Sequence, residues 1–226
     1  MASAGWYGKL SGLGDFASRR LPAPWVQACD QWLSACMTSS RQQLGERWLQ
    51  AYLDAPVWRY AWAPGVVDAQ WWFGVLMPSC DKVGRYFPLL VAQSRAAPPL
   101  DRYALDHLDL WWAQAAQAAL QTLAEGASLE QFEAALEDLP PWPGARFGGA
   151  PAAQAALPGA GVPVTLAAAA TLQDLVQGLA VAQLQAGLQG HSFWWPWRAG
   201  GPAPQALLVP GLPASAAFST LLAPVV

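Results

Sequence analysis

Charge is scarce in this chain. Asp, Glu, Lys and Arg make up 12% of its 226 residues, against about a quarter in an ordinary soluble domain. Lys is nearly missing: among twelve basic residues only Lys9 and Lys82 are not Arg, and fifteen acidic residues bring the net charge to −3. Nucleic acid is thereby excluded as a main partner, because phosphate contacts need a concentrated basic face. Histidine is limited to His107 and His191, and cysteine to Cys29, Cys36 and Cys80. No CxxC knuckle, HExxH motif or His pair stands at metal-ligand spacing, so neither a metal nor another cofactor is expected. Cys29 and Cys36 fall on one expected helix with a rise of about 10 Å between them, beyond disulfide reach.

Long apolar runs are missing as well. The best candidate, Ala155 to Leu172, is broken by Pro158, Gly159, Gly161 and Pro163, and falls short of the apolar span of about 20 residues that a bilayer requires. The first residues lack the basic segment and apolar run of a secretory signal. The expectation is a cytoplasmic protein without membrane insertion.

Apolar and aromatic residues are plentiful instead: 54% of the chain is apolar, which excludes a disordered polymer, and 14 residues are Trp. A chain this long buries roughly 70% of its unfolded surface, and a Trp side chain fills up to about 200 Å² of it. Core is therefore the first reading of the Trp excess. Charge is also uneven, since only Asp174 and Arg198 follow residue 146.

The pattern predicts a strand over Trp6 to Leu10 and a glycine-rich turn over Ser11 to Asp15. A helix follows from Pro22 to about Leu44, with Trp25, Cys29, Trp32, Leu33 and Cys36 on one face. A shorter helix covers Glu46 to Leu53 and stops before Pro56. Val57 to Ala63, Val66 to Met77 and Tyr86 to Gln93 read as strands whose short linkers favour antiparallel neighbours. Asp101 to Leu123 reads as a helix burying Leu105, Leu108, Trp112, Ala116 and Leu120. Ser128 with Gln131 forms a capping-box pattern for a helix reaching about Asp138. Pro140 to Pro163 is an expected loop or subdomain seam. A helix over Thr171 to Leu188, strands over Ser192 to Trp197 and Gln205 to Val209, and a helix over Pro213 to Leu222 complete the reading. The sum is an α/β chain of the α+β kind: one domain, 1–226, with a largely antiparallel sheet covered by helices.

Motifs for chemistry fail one by one. A Walker loop needs Gly where Ser3 stands and Ser or Thr where Leu10 stands, and a dinucleotide fingerprint needs Gly where Ala17 stands. His191, Ser192 and Asp174 form a hydrolytic set in name only, without a nucleophile elbow. Two charged loops remain: Asp15 with Arg19 and Arg20, and Asp81 with Lys82 and Arg85. They are read either as self-capping turns or as a docking surface at one sheet edge. In the run Trp194-Trp195-Pro196-Trp197, strand alternation puts Trp194 on one face and the other two Trp on the opposite face. An exposed Trp there could bind a proline-rich peptide or a sugar.

Four segments then form a recognisable series: Gly5-Trp-Tyr-Gly-Lys-Leu-Ser-Gly-Leu-Gly-Asp-Phe16 with Leu21-Pro22, Ala55-Pro-Val-Trp-Arg59, Asp81-Lys-Val-Gly-Arg-Tyr-Phe-Pro-Leu89, and Ser192-Phe-Trp-Trp195 with Gly211-Leu-Pro213. Together they resemble the TagF family, also called ImpM, associated with bacterial type VI secretion. Ser11 departs from the family's usual proline. The resemblance implies a longin- or profilin-like sandwich and a non-enzymatic cytoplasmic accessory protein. It also implies post-translational restraint of secretion by binding the forkhead-associated scaffold. Asp15, Arg19, Arg20, Asp81, Lys82, Arg85, Trp194 and Trp195 are the expected binding residues.

Overall fold

The computed structural model describes residues 3–96, 98, 102–142, 183, 185–197 and 206–222. Seven strands form one sheet: β1 (Gly5–Gly8), β2 (Ala17–Arg19), β3 (Val57–Trp62), β4 (Trp71–Met77), β5 (Leu89–Arg95), β6 (His191–Trp197) and β7 (Leu207–Pro210). Their order is β2-β1-β5-β4-β3-β6-β7 and every neighbouring pair is antiparallel. The α+β class with an antiparallel sheet is as the sequence predicts.

Alternation along the strands divides the side chains between two cores. Trp58, Tyr60, Trp62, Trp72, Leu76, Leu90 and Trp194 face α1 (Ala23–Leu44), α2 (Trp48–Asp54) and α5 (Phe218–Leu222). Val57, Ala61, Trp71, Phe73, Val75 and Val91 face α3 (Arg102–Gln121) and α4 (Leu129–Glu137). The sheet is thus covered on both sides, which explains why all seven residues of β4 are buried. Eleven of the 14 Trp are buried and Trp32, Trp195 and Trp197 are half-buried, so packing accounts for most of the Trp excess. In one core Trp25 lies 4.8 Å from Trp72 and 5.7 Å from Trp62, centroid to centroid. Gly74 is required where Tyr60 crosses β4 to donate a hydrogen bond to the Val91 carbonyl at 3.0 Å; a side chain at 74 would strike both groups.

Several boundaries and buried faces differ from expectation. β4 begins at Trp71 and not Val66, because the Asp68 carboxylate accepts from the Gln70 N–H at 2.7 Å and from Trp72 Nε1 at 2.9 Å, closing a turn there. β5 begins after Pro88, which has no N–H to give a ladder. α3 buries Ala104, Trp111, Ala115, Ala118 and Ala119 beside Leu108, Trp112 and Ala116, and leaves Leu105 and Leu120 exposed. Small alanines bring the helix close to the sheet, and Trp111 turns inward to meet Trp142 edge-on at 4.7 Å. In α2 only Trp48 and Tyr52 are buried, while Leu49 and Leu53 are exposed. α4 has the expected capping box, with both Ser128–Gln131 bonds at 3.2 Å. Residues 143–163 of the seam expected over Pro140 to Pro163, and most of the helix expected over Thr171 to Leu188, lie outside the described residues.

Candidate functional site

β1 ends at Gly8, whose φ of 138° lets the chain pass close to the Pro88 carbonyl, and it delivers Lys9 beneath the second charged loop. There Lys9 Nζ meets Asp81 Oδ2 at 2.6 Å, with side-chain exposures of 5% and 0%. Arg85 Nε donates to the same oxygen at 2.7 Å. The N–H groups of Val83 and Arg85 donate to Oδ1 at 3.1 and 2.9 Å. Gly84, with φ of 80°, permits the tight turn that points these amides inward. Enclosure alone would push the Asp81 carboxyl up, yet the bonds from Lys9, Arg85 and Val83 hold it well below the usual carboxylate range.

The same cluster joins the two loops. The Lys82 N–H donates to the Leu13 carbonyl at 3.0 Å, Arg85 Nη2 donates to the Gly14 carbonyl, and Ser79 Oγ donates to the Lys9 carbonyl at 2.7 Å. Behind them Phe16 packs edge-on against Phe87 at 4.8 Å, and Lys9 Nζ lies 4.7 Å from its centroid. Asp15, Phe16, Lys82, Val83 and Arg85 stay exposed on this shared platform.

The expected binding residues therefore separate. Asp15, Lys82 and Arg85 are brought together at the tip. Asp81 belongs to the same cluster but is enclosed, so it organises the surface without forming part of it. Arg20, the one non-glycine residue with positive φ among the described residues, is turned away to bond Glu133 and the Ala4 carbonyl, tying β2 to α4. Arg19 is exposed, with Glu133 3.9 Å away. Trp194 cannot serve as an exposed anchor: it is fully buried between Tyr60, Trp62 and Trp32, and its Nε1 donates to Ser192 Oγ at 2.9 Å. Trp195 is half-buried on the opposite face, 4.6 Å from Trp112, with Arg59 at 5.7 Å. β6 stands four strand spacings from β1, about 19 Å at ~4.8 Å each, so Trp195 does not share the loop tip.

Sequence reasoning missed Lys9 as the buried partner and Phe16 and Val83 as exposed apolar neighbours. The one available signal for Lys9 was a cation inside an otherwise apolar strand pattern, a position that demands a partner.

The remaining elements offer other groups little. Ser192 Oγ donates to the Gly211 carbonyl at 2.6 Å while accepting from Trp194, and His191 Nδ1 faces the Gln189 carbonyl at 3.0 Å. Ser192 is thus committed to backbone and Trp, and Asp174 lies outside the described residues. The His107 ring lies 4.0 Å from that of Tyr103, tilted by 48°. An apolar recess of about 270 Å³ lies between α2, the end of β4 and the end of α3, and no charged side chain lines it. Among the described residues no helix is long and apolar enough to cross a membrane, and no group of three metal-ligating side chains exists.

Comparison with curated proteins finds no match. The crystal structure of PA0076 from Pseudomonas aeruginosa PAO1 is similar at 37% identity and a TM-score of 0.74, over 97% of this chain and 94% of that one. Residues 5–139, which span β1 through α4 and both charged loops, match the TagF N-terminal domain, described as type VI secretion system-associated. The chain therefore belongs to the TagF family of proteins associated with type VI secretion.

Proposed function

We propose that this protein restrains type VI secretion after translation, acting in the cytoplasm as a single-domain, non-enzymatic binding protein for the forkhead-associated scaffold. The observation that carries this reading is the loop platform. Exposed Arg85 is held by the enclosed Lys9–Asp81 pair, and bonds from the Lys82 N–H to Leu13 and from Arg85 to Gly14 fix the backbone that carries exposed Asp15 and Lys82 beside it. A loop backbone fixed in this way loses little freedom when a partner docks. Arg19, exposed at the end of β2, and Trp195 are contacts outside the platform.

The test is binding of the purified scaffold to wild type and to Asp15→Ala, Lys82→Ala and Arg85→Ala, each checked for an unchanged fold, alongside secretion in cells overproducing each form. Loss of binding and of restraint in the same variants is expected. Equal binding by all of them would overturn the site, and no binding by wild type would overturn the scaffold as partner.

A further inference from the structure

We infer that the loop tip is a preformed cationic wedge that seats in an apolar recess rimmed by carboxylates on a partner protein. This rests on the docking reading above and specifies the chemistry of the partner's surface.

Two apolar side chains project from the tip: Phe16 is 45% exposed and Val83 65%. Neither is loosely held. Phe16 is braced by Phe87 and Lys9, and Val83 sits on a turn pinned through its own N–H to Asp81. An apolar group fixed in this way anchors a complex with little ordering penalty, and what it needs opposite is a recess that excludes water.

The polar groups around it set the sign of that recess. The enclosed Lys9 and Asp81 cancel as a pair, and at the surface Lys82 and Arg85 outnumber Asp15, on a chain whose net charge is −3. Asp81 is enclosed by Lys9, Arg85 and the amides of the turn, while Asp15 is exposed and accepts from the Phe16 N–H at 2.8 Å, leaving one cation in excess at the tip. Lys82 has no ion-pair partner among the described residues, and its Nζ approaches within 3.9 Å of the Cβ position at Gly14. Arg85 keeps 57% of its side chain exposed. The field leaving the tip is positive, so its complement is acidic. A membrane surface fits less well, because one excess cation does not make a polybasic cluster. Nucleic acid fits less well again, since the tip lacks a basic stripe to follow a phosphate backbone.

The test uses the full chain in cells that assemble the secretion machine, with p-benzoylphenylalanine placed at Val83 or, for contrast, at exposed Leu105 on α3. The wedge predicts a crosslink from position 83 and not from 105, mapping to a partner segment of net negative charge. With that partner purified, Lys82→Glu and Val83→Asp weaken binding by about tenfold or more at unchanged melting temperature, and added salt weakens wild-type binding. An acidic segment on a protein other than the scaffold would keep the wedge and overturn the scaffold reading. A basic or uncharged segment on the scaffold would do the reverse. No adduct from position 83, undiminished affinity of Lys82→Glu, or capture by anionic phospholipid vesicles in place of a protein would overturn the wedge.

Discussion

Replacing Lys9 by Met tests what holds the two loops together. Met keeps much of the apolar stem but removes the ammonium 2.6 Å from Asp81 Oδ2, in a site where the Lys9 side chain is 5% exposed. Removing one partner of a buried pair costs about 3 to 5 kcal/mol. The lower end applies because Asp81 keeps Arg85 Nε at 2.7 Å and the amides of Val83 and Arg85. A loss of about 3 kcal/mol lowers the melting temperature of a chain this size by about 6 to 12 °C. Arg85→Met removes a more exposed partner and should lower stability by only about 1 kcal/mol. Differential scanning fluorimetry of wild type and both variants at neutral pH measures the contrast. Lys9→Met should also weaken scaffold binding, although Lys9 itself is enclosed, because the platform loses its support. A Lys9→Met melting temperature within about 2 °C of wild type, or a larger loss for Arg85→Met, would refute the pair as the organising contact.

Three other outcomes follow from the same geometry. The Asp81 carboxyl is held below its unfolded value of about 3.9; its contribution is present above that pH and is lost as pH falls toward the folded value. Melting temperature should therefore fall less steeply for Asp81→Asn than for wild type on acidification from about pH 5 to about pH 3, and parallel slopes would exclude Asp81 as the titrating group. Gly74→Ala should destabilise by about 3 kcal/mol, since the new methyl meets the Tyr60 ring and the Val91 carbonyl, and chemical denaturation showing no loss would contradict that crossing. In the folded protein only Cys80 should react quickly with a thiol reagent, because burial pushes the Cys36 thiol up to about 12 and burial with the nearby Asp68 charge pushes Cys29 higher still; rapid labelling of two thiols would refute this.

Much of the fold is legible in the sequence where the signal is local. Pro22 before a 3.6-period face marks α1, and Ser128 with Gln131 marks α4. Alternation in Trp194, Trp195 and Trp197 predicts opposite faces of β6, as found. Other features depend on partners that no window of sequence contains. β2 is three residues long with no periodic pattern of its own and exists because β1 pairs with it. The α3 stripe shifts because Trp142, beyond the helix, draws Trp111 inward. At the candidate site, the right residue types were visible but not their division: Arg20 turns to Glu133 and Trp194 enters the core.

By itself, the sequence determines the longer helices and strands, the buried face of α1 and the alternation of β6, and it carries no recognisable catalytic or metal motif, because periodicity, capping and composition act over a few neighbouring residues. Only the tertiary structure decides that β1 lies beside β5 and so brings Lys9 to Asp81 across 72 residues of chain. That pairing decides which charges are enclosed and which are offered to a partner, since the energy of a charge depends on what surrounds it and not on what precedes it in the chain.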